Sequence, residues 1–363
     1  MSWAEMLKDN LTTAEELQEL LHLNEEDYIR LKNILEMFPM SVTRYYLSLI
    51  DWTNEKDPIR RMCIPSIREI NLDGSFDTSG EASNTIIEGL QHKYKSTAMI
   101  LSTNRCAMYC RHCFRKRMVG LSDEEITARY FDQIMDYIDD HQEINNALIS
   151  GGDAFLNSNA LLKRYLERLS HIEHLDFIRF GTRTPVVFPM RITDDSELLG
   201  LLHHYSTMKK IYVITHFNHP NEITPQSRAA VQALVNAGIP VRNQTVFLKG
   251  VNDDPKTLGN LLKKLTSIAV QPYYIFQCRP VSGVKNQFQI PLKQGYHIVE
   301  QAKIMQSGLG KNFRFVLSHE TGKIEVLGEM PDGQMLFKYH QAKDPKDEGR
   351  IFLKTMGEGE CWL

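Results

Sequence analysis

Between residues 97 and 277 the chain alternates short apolar runs with longer stretches whose apolar residues recur at helical spacing. The runs are TAMILST (97–103), NALIS (146–150), DFIRFGT (176–182), KIYVITH (210–216), PVRNQTVFL (240–248) and QPYYIFQ (271–277). A helix is predicted from Ser122-Asp123-Glu124-Glu125, with Ile126, Phe131, Ile134 and Ile138 on one face. Others are predicted over 161–169, 196–205, within 225–237 closed by Gly238, and over 255–266. Strands alternating with helices imply a parallel sheet with helices outside. Six such units fall short of an eight-fold barrel. The predicted fold is therefore α/β, an open, partial (β/α)6 barrel.

The flanks read differently. Thr12 or Thr13 caps a helix from Ala14 to Leu21. Asn24 caps another carrying Tyr28, Leu31, Leu35 and Phe38 before Pro39 stops it. DGSFDTSGEAS (73–83) is turn-rich and reads as an irregular linker. Beyond 278 a helix is expected over 294–307, with short strands over 313–318, 323–328 and 334–340. These form a small C-terminal α+β segment, and the end, GEGECWL, is expected to fray. Three regions follow: a helical cap and linker (1–92), the partial barrel (93–278) and the C-terminal segment (279–363).

A net charge of −3, from 42 basic and 45 acidic residues, gives no sign of a nucleic-acid or membrane surface. No apolar run reaches the length of a membrane span, and MSWAEMLKDN lacks the features of a signal peptide. Six cysteines, three of them clustered, do not resemble a disulfide framework, so a reducing cytoplasm is expected.

That cluster is Cys106, Cys110 and Cys113, in CAMYCRHC (106–113). Structural zinc wants four ligands, which His112 would have to complete, and iron–sulfur cubes are also usually held by four thiolates. Three thiols on one tight loop would leave one iron of a cube open to a small molecule. Buried free cysteines are the bland alternative. Other polar groups fall at the predicted C-terminal ends of strands, where a parallel barrel carries its site. Ser150-Gly151-Gly152-Asp153 follows the second strand, and its glycines would let a ligand approach the backbone. His216 ends the fourth. Asn243 and Gln244 interrupt an apolar strand, and buried amides need partners. Arg111, Arg115, Lys116 and Arg117 form either a solvated basic face or a carboxylate clamp.

The spacing C-x-x-x-C-x-x-C resembles that of the radical S-adenosylmethionine (SAM) enzymes. The longer string CAMYCRHCFRKRMVG (106–120) resembles the lysine 2,3-aminomutase family. The resemblance implies a [4Fe-4S] cluster on Cys106, Cys110 and Cys113, with SAM on the open iron. Reduction of the cluster would split SAM to a 5′-deoxyadenosyl radical, which takes a hydrogen from the substrate β-carbon. It also implies pyridoxal phosphate (PLP), which carries the amino group from the α- to the β-carbon. SAM contacts are assigned to Ser150, Gly151, Gly152, Asp153, His216, Asn243 and Gln244. The PLP phosphate falls to Lys93, where an arginine is usual, and to Tyr94. The substrate α-carboxylate falls to Arg115. Lys323 matches the lysine that joins PLP as a Schiff base, although His319-Glu320-Thr321-Gly322 replaces the usual glycine run.

Two further departures concern the substrate. Where lysine-specific members carry acids that bind the substrate ammonium, this chain has Arg279 and Ser318. An arginine there would repel an ammonium, so the expected substrate is L-glutamate, its γ-carboxylate paired with Arg279. Alternatives are free or protein-bound lysine, a radical SAM enzyme without PLP, and a non-catalytic iron–sulfur redox sensor. Asp254 stands where a zinc cysteine of the family would be, so no zinc is expected. The implied partners are a small amino acid, an external one-electron donor such as flavodoxin or ferredoxin, and further copies of the chain in a homo-oligomer.

Overall fold

The computed structural model describes residues 3–120 and 129–363. Its twelve strands form one sheet in sequential order. They are β1 (Thr85–Ile87), β2 (Leu90–Tyr94), β3 (Thr97–Thr103), β4 (Asn146–Gly151), β5 (Phe177–Gly181), β6 (Lys210–Thr215), β7 (Val241–Phe247), β8 (Val270–Gln277), β9 (Arg314–His319), β10 (Gly322–Glu329), β11 (Gln334–Ala342) and β12 (Ile351–Thr355). Strands β3 to β9 are parallel neighbours. Antiparallel pairs extend the sheet at both ends. With edges at β1 and β12, the barrel is open.

Successive side chains on a strand face opposite ways, and that alternation builds the layers. In β5, Ile178 and Phe180 are fully buried against the outer helices, while Arg179 and Gly181 line the barrel interior. Helices Asn159–Ser170, Ser196–Ser206, Pro225–Asn236 and Pro255–Ser267 cover the outside, as their apolar stripes predict. The helix Phe131–Asp140 buries Phe131, Ile134 and Ile138. Its expected start at Ser122–Ile126 lies outside the described residues.

Three features differ from expectation. The strand over 314–319 does not belong to a separate small sheet: the helix Leu292–Ile304 returns the chain so that β9 runs parallel to β8. Strands β1, β2 and β12 escape sequence reading because they are short and two are edges, so no apolar alternation marks them. The C-terminal residues are docked. Leu292 N–H donates to Glu360 O at 2.8 Å, the Gln277 amide donates to Cys361 O at 3.0 Å, and Trp362 and Leu363 pack on the core under β9–β11.

The N-terminal helices appear where expected, Ala14–Leu21 with a Thr13–Glu16 capping box and Glu25–Met37 capped by Asn24. Residues of this region grip the back of the cysteine loop. The Asn10 side chain donates to Ala107 O at 3.0 Å, Tyr109 N–H to Ser41 O and Arg111 N–H to Met62 O, both at 2.9 Å. The stretch 73–83 is also more than a linker. Ser75 N–H donates to Pro280 O at 3.0 Å and Ser75 O accepts from Ser282 N–H at 3.3 Å, strapping the segment across the exit of β8. Gly74 sits at φ +123°, and a Cβ there would lie 2.4 Å from Pro280 O. Among the described residues, no helix is long and apolar enough to cross a membrane.

Candidate active site

One cavity at the C-terminal mouth of the strands runs from the three cysteines to Lys323. Every residue assigned to the cluster, SAM, PLP or the substrate lines it except Asn243. Burial pushes the thiol of Cys113 up to about 11 and raises that of Cys106. A positive centre must therefore be supplied before they ionise, which iron would do. No three His, Cys, Asp or Glu side chains among the described residues converge as for a single ion. Cys106, Cys110 and Cys113 all line the cavity, and in a cube each would meet a different iron.

The motif after β4 holds that loop. Gly152 N–H donates to Thr103 O at 2.6 Å and Asp153 N–H to Arg105 O at 2.7 Å. A Cβ on Gly151 or Gly152 would lie 2.2 Å from a carbonyl oxygen of Thr103 or Arg105. The glycines are thus required by backbone packing against the cysteine loop, besides any approach to a ligand. Asp153 is spent locally: its carboxylate accepts from the Thr182 hydroxyl at 2.5 Å, Arg183 N–H at 2.7 Å and Phe155 N–H at 3.0 Å. That carboxylate braces two strand ends while Asp153 remains part of the cavity wall.

Asn243 is also bonded within the protein. Its amide accepts from Phe217 N–H at 2.7 Å and donates to Phe217 O at 3.0 Å and the Thr245 hydroxyl at 2.8 Å. These bonds pin the chain just after His216, and Asn243 itself does not line the cavity. His216 and Gln244 do face the cavity. Burial first, then Arg183 and Arg115, hold the His216 imidazole neutral, down at about 4.

The basic residues beside the cysteines are not a solvated face. Arg111 and Lys116 both reach the fully buried Glu69 at 2.5 Å, which makes them structural. Glu81 accepts from Arg115 Nε at 2.8 Å and from Arg117 at 2.5 Å. Arg115 keeps its outer edge toward the cavity, where its terminal nitrogens make long contacts to Ser150 Oγ at 3.5 Å and Gly151 O at 3.4 Å and one to Met99 Sδ at 3.4 Å.

Lys323 opens β10 opposite Ser318 and Gln341. Its amine donates to Gln341 Oε1 at 2.8 Å and lies over the Tyr94 and Tyr274 rings. Burial, then the nearby Arg179, Lys93 and Arg279, bring it down to about 7, so at neutral pH much of it is a free nucleophile. Lys93, down to about 8 mainly through burial, donates to His319 O at 2.7 Å. Arg279 donates to the Ser318 hydroxyl at 2.7 Å and to that of Ser79.

Sequence reading missed Ser79 and Glu81, hidden in a turn-rich stretch, and Arg179 and Arg183. The two arginines carried a signal: charges inside or just after an apolar strand facing a barrel mouth. Arg183 donates to Cys110 Sγ at 2.7 Å and to Glu222 at 2.6 Å.

The wall fits anionic cofactors. Six cations line it, Lys93, Arg115, Arg179, Arg183, Arg279 and Lys323, against two carboxylates, Glu81 and Asp153, both already hydrogen-bonded. Arg179 Nε, His112 Nδ1, Gln277 Oε1 and Asn84 Oδ1 are buried there with no protein partner, and such atoms are costly unless a ligand meets them. Lys93 and Tyr94 stand at the Lys323 end and the cysteines at the other. PLP and a SAM-bearing cluster would thus occupy opposite ends of one chamber.

Comparison with known proteins agrees. Residues 100–262 match the family model for the Radical SAM superfamily. A "Putative L-lysine 2,3-aminomutase" of Aquifex aeolicus is 41% identical over 350 residues, 96% of this chain and 93% of that protein. The L-lysine 2,3-aminomutase of Clostridium subterminale is 38% identical, over 84% of this chain and 73% of its own. The glutamate 2,3-aminomutase of Clostridioides difficile is 36% identical, over 84% and 71%. The chain belongs to the lysine 2,3-aminomutase family of radical SAM enzymes, isomerases that use a [4Fe-4S] cluster, SAM and PLP.

Proposed function

We propose that this aminomutase acts on an α-amino acid with an anionic side chain, and that L-glutamate is converted to β-glutamate. The observation that carries the reading is Arg279, at the Lys323 end of the cavity, with no carboxylate paired to it within salt-bridge distance among the described residues. An ammonium brought there would meet the Arg279 guanidinium, and like charges in a partly desolvated pocket cost several kcal/mol, on the order of a thousandfold in affinity.

In this reading Cys106, Cys110 and Cys113 hold the cluster, and His216 and Gln244 form the SAM wall. Lys93 and Tyr94 hold the phosphate of PLP. Lys323 binds PLP covalently, which its lowered proton affinity favours. When bound, these groups supply a hydrogen-abstracting radical and a conjugated ring for the migrating nitrogen. The protein fixes the substrate between Arg115, at the α-carboxylate, and Arg279, at the distal one, so that the β-carbon faces the cysteine end. Burial of the chamber keeps water from the radical. The electron comes from an external carrier of the flavodoxin or ferredoxin kind. Functionally the chain divides into a cap that braces the cluster loop (1–92), a barrel that holds cluster and SAM (93–278), and a C-terminal part that carries the PLP lysine (279–363).

The test is a product screen of reconstituted, anaerobically reduced protein given glutamate, lysine, aspartate and alanine separately. β-Glutamate should dominate. A dominant β-lysine would overturn the substrate assignment and leave the family intact.

A further inference from the structure

The stretch 73–83, unassigned by sequence, touches both arginines of that reading. Glu81 holds Arg115 through its Nε at 2.8 Å, with its side chain 4% exposed. Two residues earlier, the Ser79 hydroxyl accepts from Arg279. The connecting turn is stiff. The Asp77 carboxylate accepts from Glu81 N–H at 2.8 Å and Ala82 N–H at 3.1 Å. The Asn84 amide donates to Gly80 O at 2.6 Å and Ser79 O at 3.3 Å. Gly80 takes the left-handed conformation, φ +64°, that lets the turn close. The Ser75–Pro280 strap anchors the segment to the residue after Arg279.

The two guanidinium groups also share a ring. The Arg115 and Arg279 guanidinium carbons lie 4.5 and 4.3 Å from the centroid of Phe114. Their separation therefore cannot exceed the sum of those distances, close enough for one short dicarboxylate to engage both. With its Nε held by Glu81, Arg115 presents its terminal nitrogens, the edge suited to a bidentate carboxylate.

We propose that the turn Ser79–Asn84 positions Arg115 and Arg279 as a pair, and thereby selects a dicarboxylic amino acid over one with a neutral side chain of similar length. This rests on the reading of Arg115 and Arg279 given above. Glu81 and Ser79 act as positioning residues, each orienting the guanidinium that meets a substrate carboxylate.

The test uses PLP-loaded, cluster-reconstituted protein without SAM, so that no turnover occurs. L-Glutamate and L-norvaline are titrated in turn, and binding is read from the change in the visible PLP absorption as the amino acid displaces Lys323. The wild type should bind glutamate at least about tenfold more tightly than norvaline. Glu81→Gln should weaken both ligands by a common factor of about ten, since each presents an α-carboxylate, with partial rescue by Glu81→Asp. Ser79→Ala should weaken glutamate alone, by about three- to tenfold, compressing the preference. The saturating absorption of each variant reports that it is folded. If Ser79→Ala affects both ligands equally, or if both variants bind like the wild type, the proposal is overturned. If the wild type itself shows no preference for glutamate, the proposal falls together with the dicarboxylate reading, whereas a wild-type preference unmoved by either variant sinks the positioning role alone.

Discussion

At the scale of single residues, the centre of the site is an amine among cations. Lys323 is brought to about 7 by burial first, with Arg179, Lys93 and Arg279 adding to it. Only the neutral amine attacks PLP, so capture of PLP by the cofactor-free protein should speed up as pH rises through about 7 and level off above it. Arg279→Met removes one of those cations and restores affinity for the proton. The midpoint should then move to higher pH, as followed by the rate of appearance of the PLP absorption in a stopped-flow series. A midpoint that stays put or moves down would show that Arg279 does not act on Lys323. Lys323→Ala should abolish both the capture and the isomerisation while leaving cluster and SAM binding intact. Sequence alone could nominate Lys323 through its resemblance to a family lysine, but not its electrostatic state. That state comes first from burial and then from Arg179 and Lys93, on strands far away in the chain. Glu81 was illegible for a related reason: one acid in a polar turn has no pattern, and only the fold brings it to Arg115.

At the scale of elements, two pieces hold the cysteine loop in place, the glycine turn after β4 and the N-terminal cap. A Cβ at Gly152 would stand 2.2 Å from Arg105 O, a backbone atom that cannot swing aside. Gly152→Ala should therefore displace the loop, and iron retained per chain after anaerobic reconstitution should fall severalfold while PLP loading persists. The cap acts through Glu69, which binds Arg111 and Lys116 with all three groups buried. Glu69→Ala strands two buried cations, and removing one partner of such a network costs about 3–5 kcal/mol, measurable by denaturant unfolding. A change under about 1 kcal/mol would mean that the network relaxes into water. The parallel strands were legible because their apolar runs are long and separated by capped amphipathic helices. Leu90–Tyr94 was not, since LQHKY carries only two buried residues and gains its place by pairing with β3. The same limit explains Asn243. An amide in an apolar strand announces a buried hydrogen bond, but sequence cannot say whether the partner is a ligand or, as here, the backbone of Phe217.

At the scale of the molecule, an unbroken sheet across residues 92 and 278 gathers into one interior many groups that are charged or neutral against their habit, and the balance sets how stability depends on pH. His216 is held near 4, and the proton affinities of the carboxyls of Glu69 and Glu81 are lowered despite the opposing effect of their burial. The unfolded chain therefore binds more protons than the native one in acid, and stability is lost as pH falls through about 6.5 and below. Lys93 and Lys116, near 8, and Lys323, near 7, are lowered chiefly by burial. The unfolded lysines stay charged up to about 10.4, so each contributes stability that grows with pH above its native value, by about 1.4 kcal/mol per pH unit. The buried thiols work the other way. Cys63, Cys106, Cys113 and Cys278 are raised by burial, and the unfolded thiols ionise from about 8.5 upward, so their contribution declines beyond that. Three lysines against four thiols nearly cancel there. The unfolding midpoint of the cofactor-free chain should rise from pH 5 to about 8.5 and then flatten, as thermal melts across pH 5–10 would reveal. Loading PLP removes Lys323 from that titration. The PLP-loaded, iron-free chain should then gain less between pH 7 and 8.5 than the empty one. A midpoint highest at pH 5, or a slope in that window unchanged by PLP, would mean that these buried groups do not govern the stability of the fold.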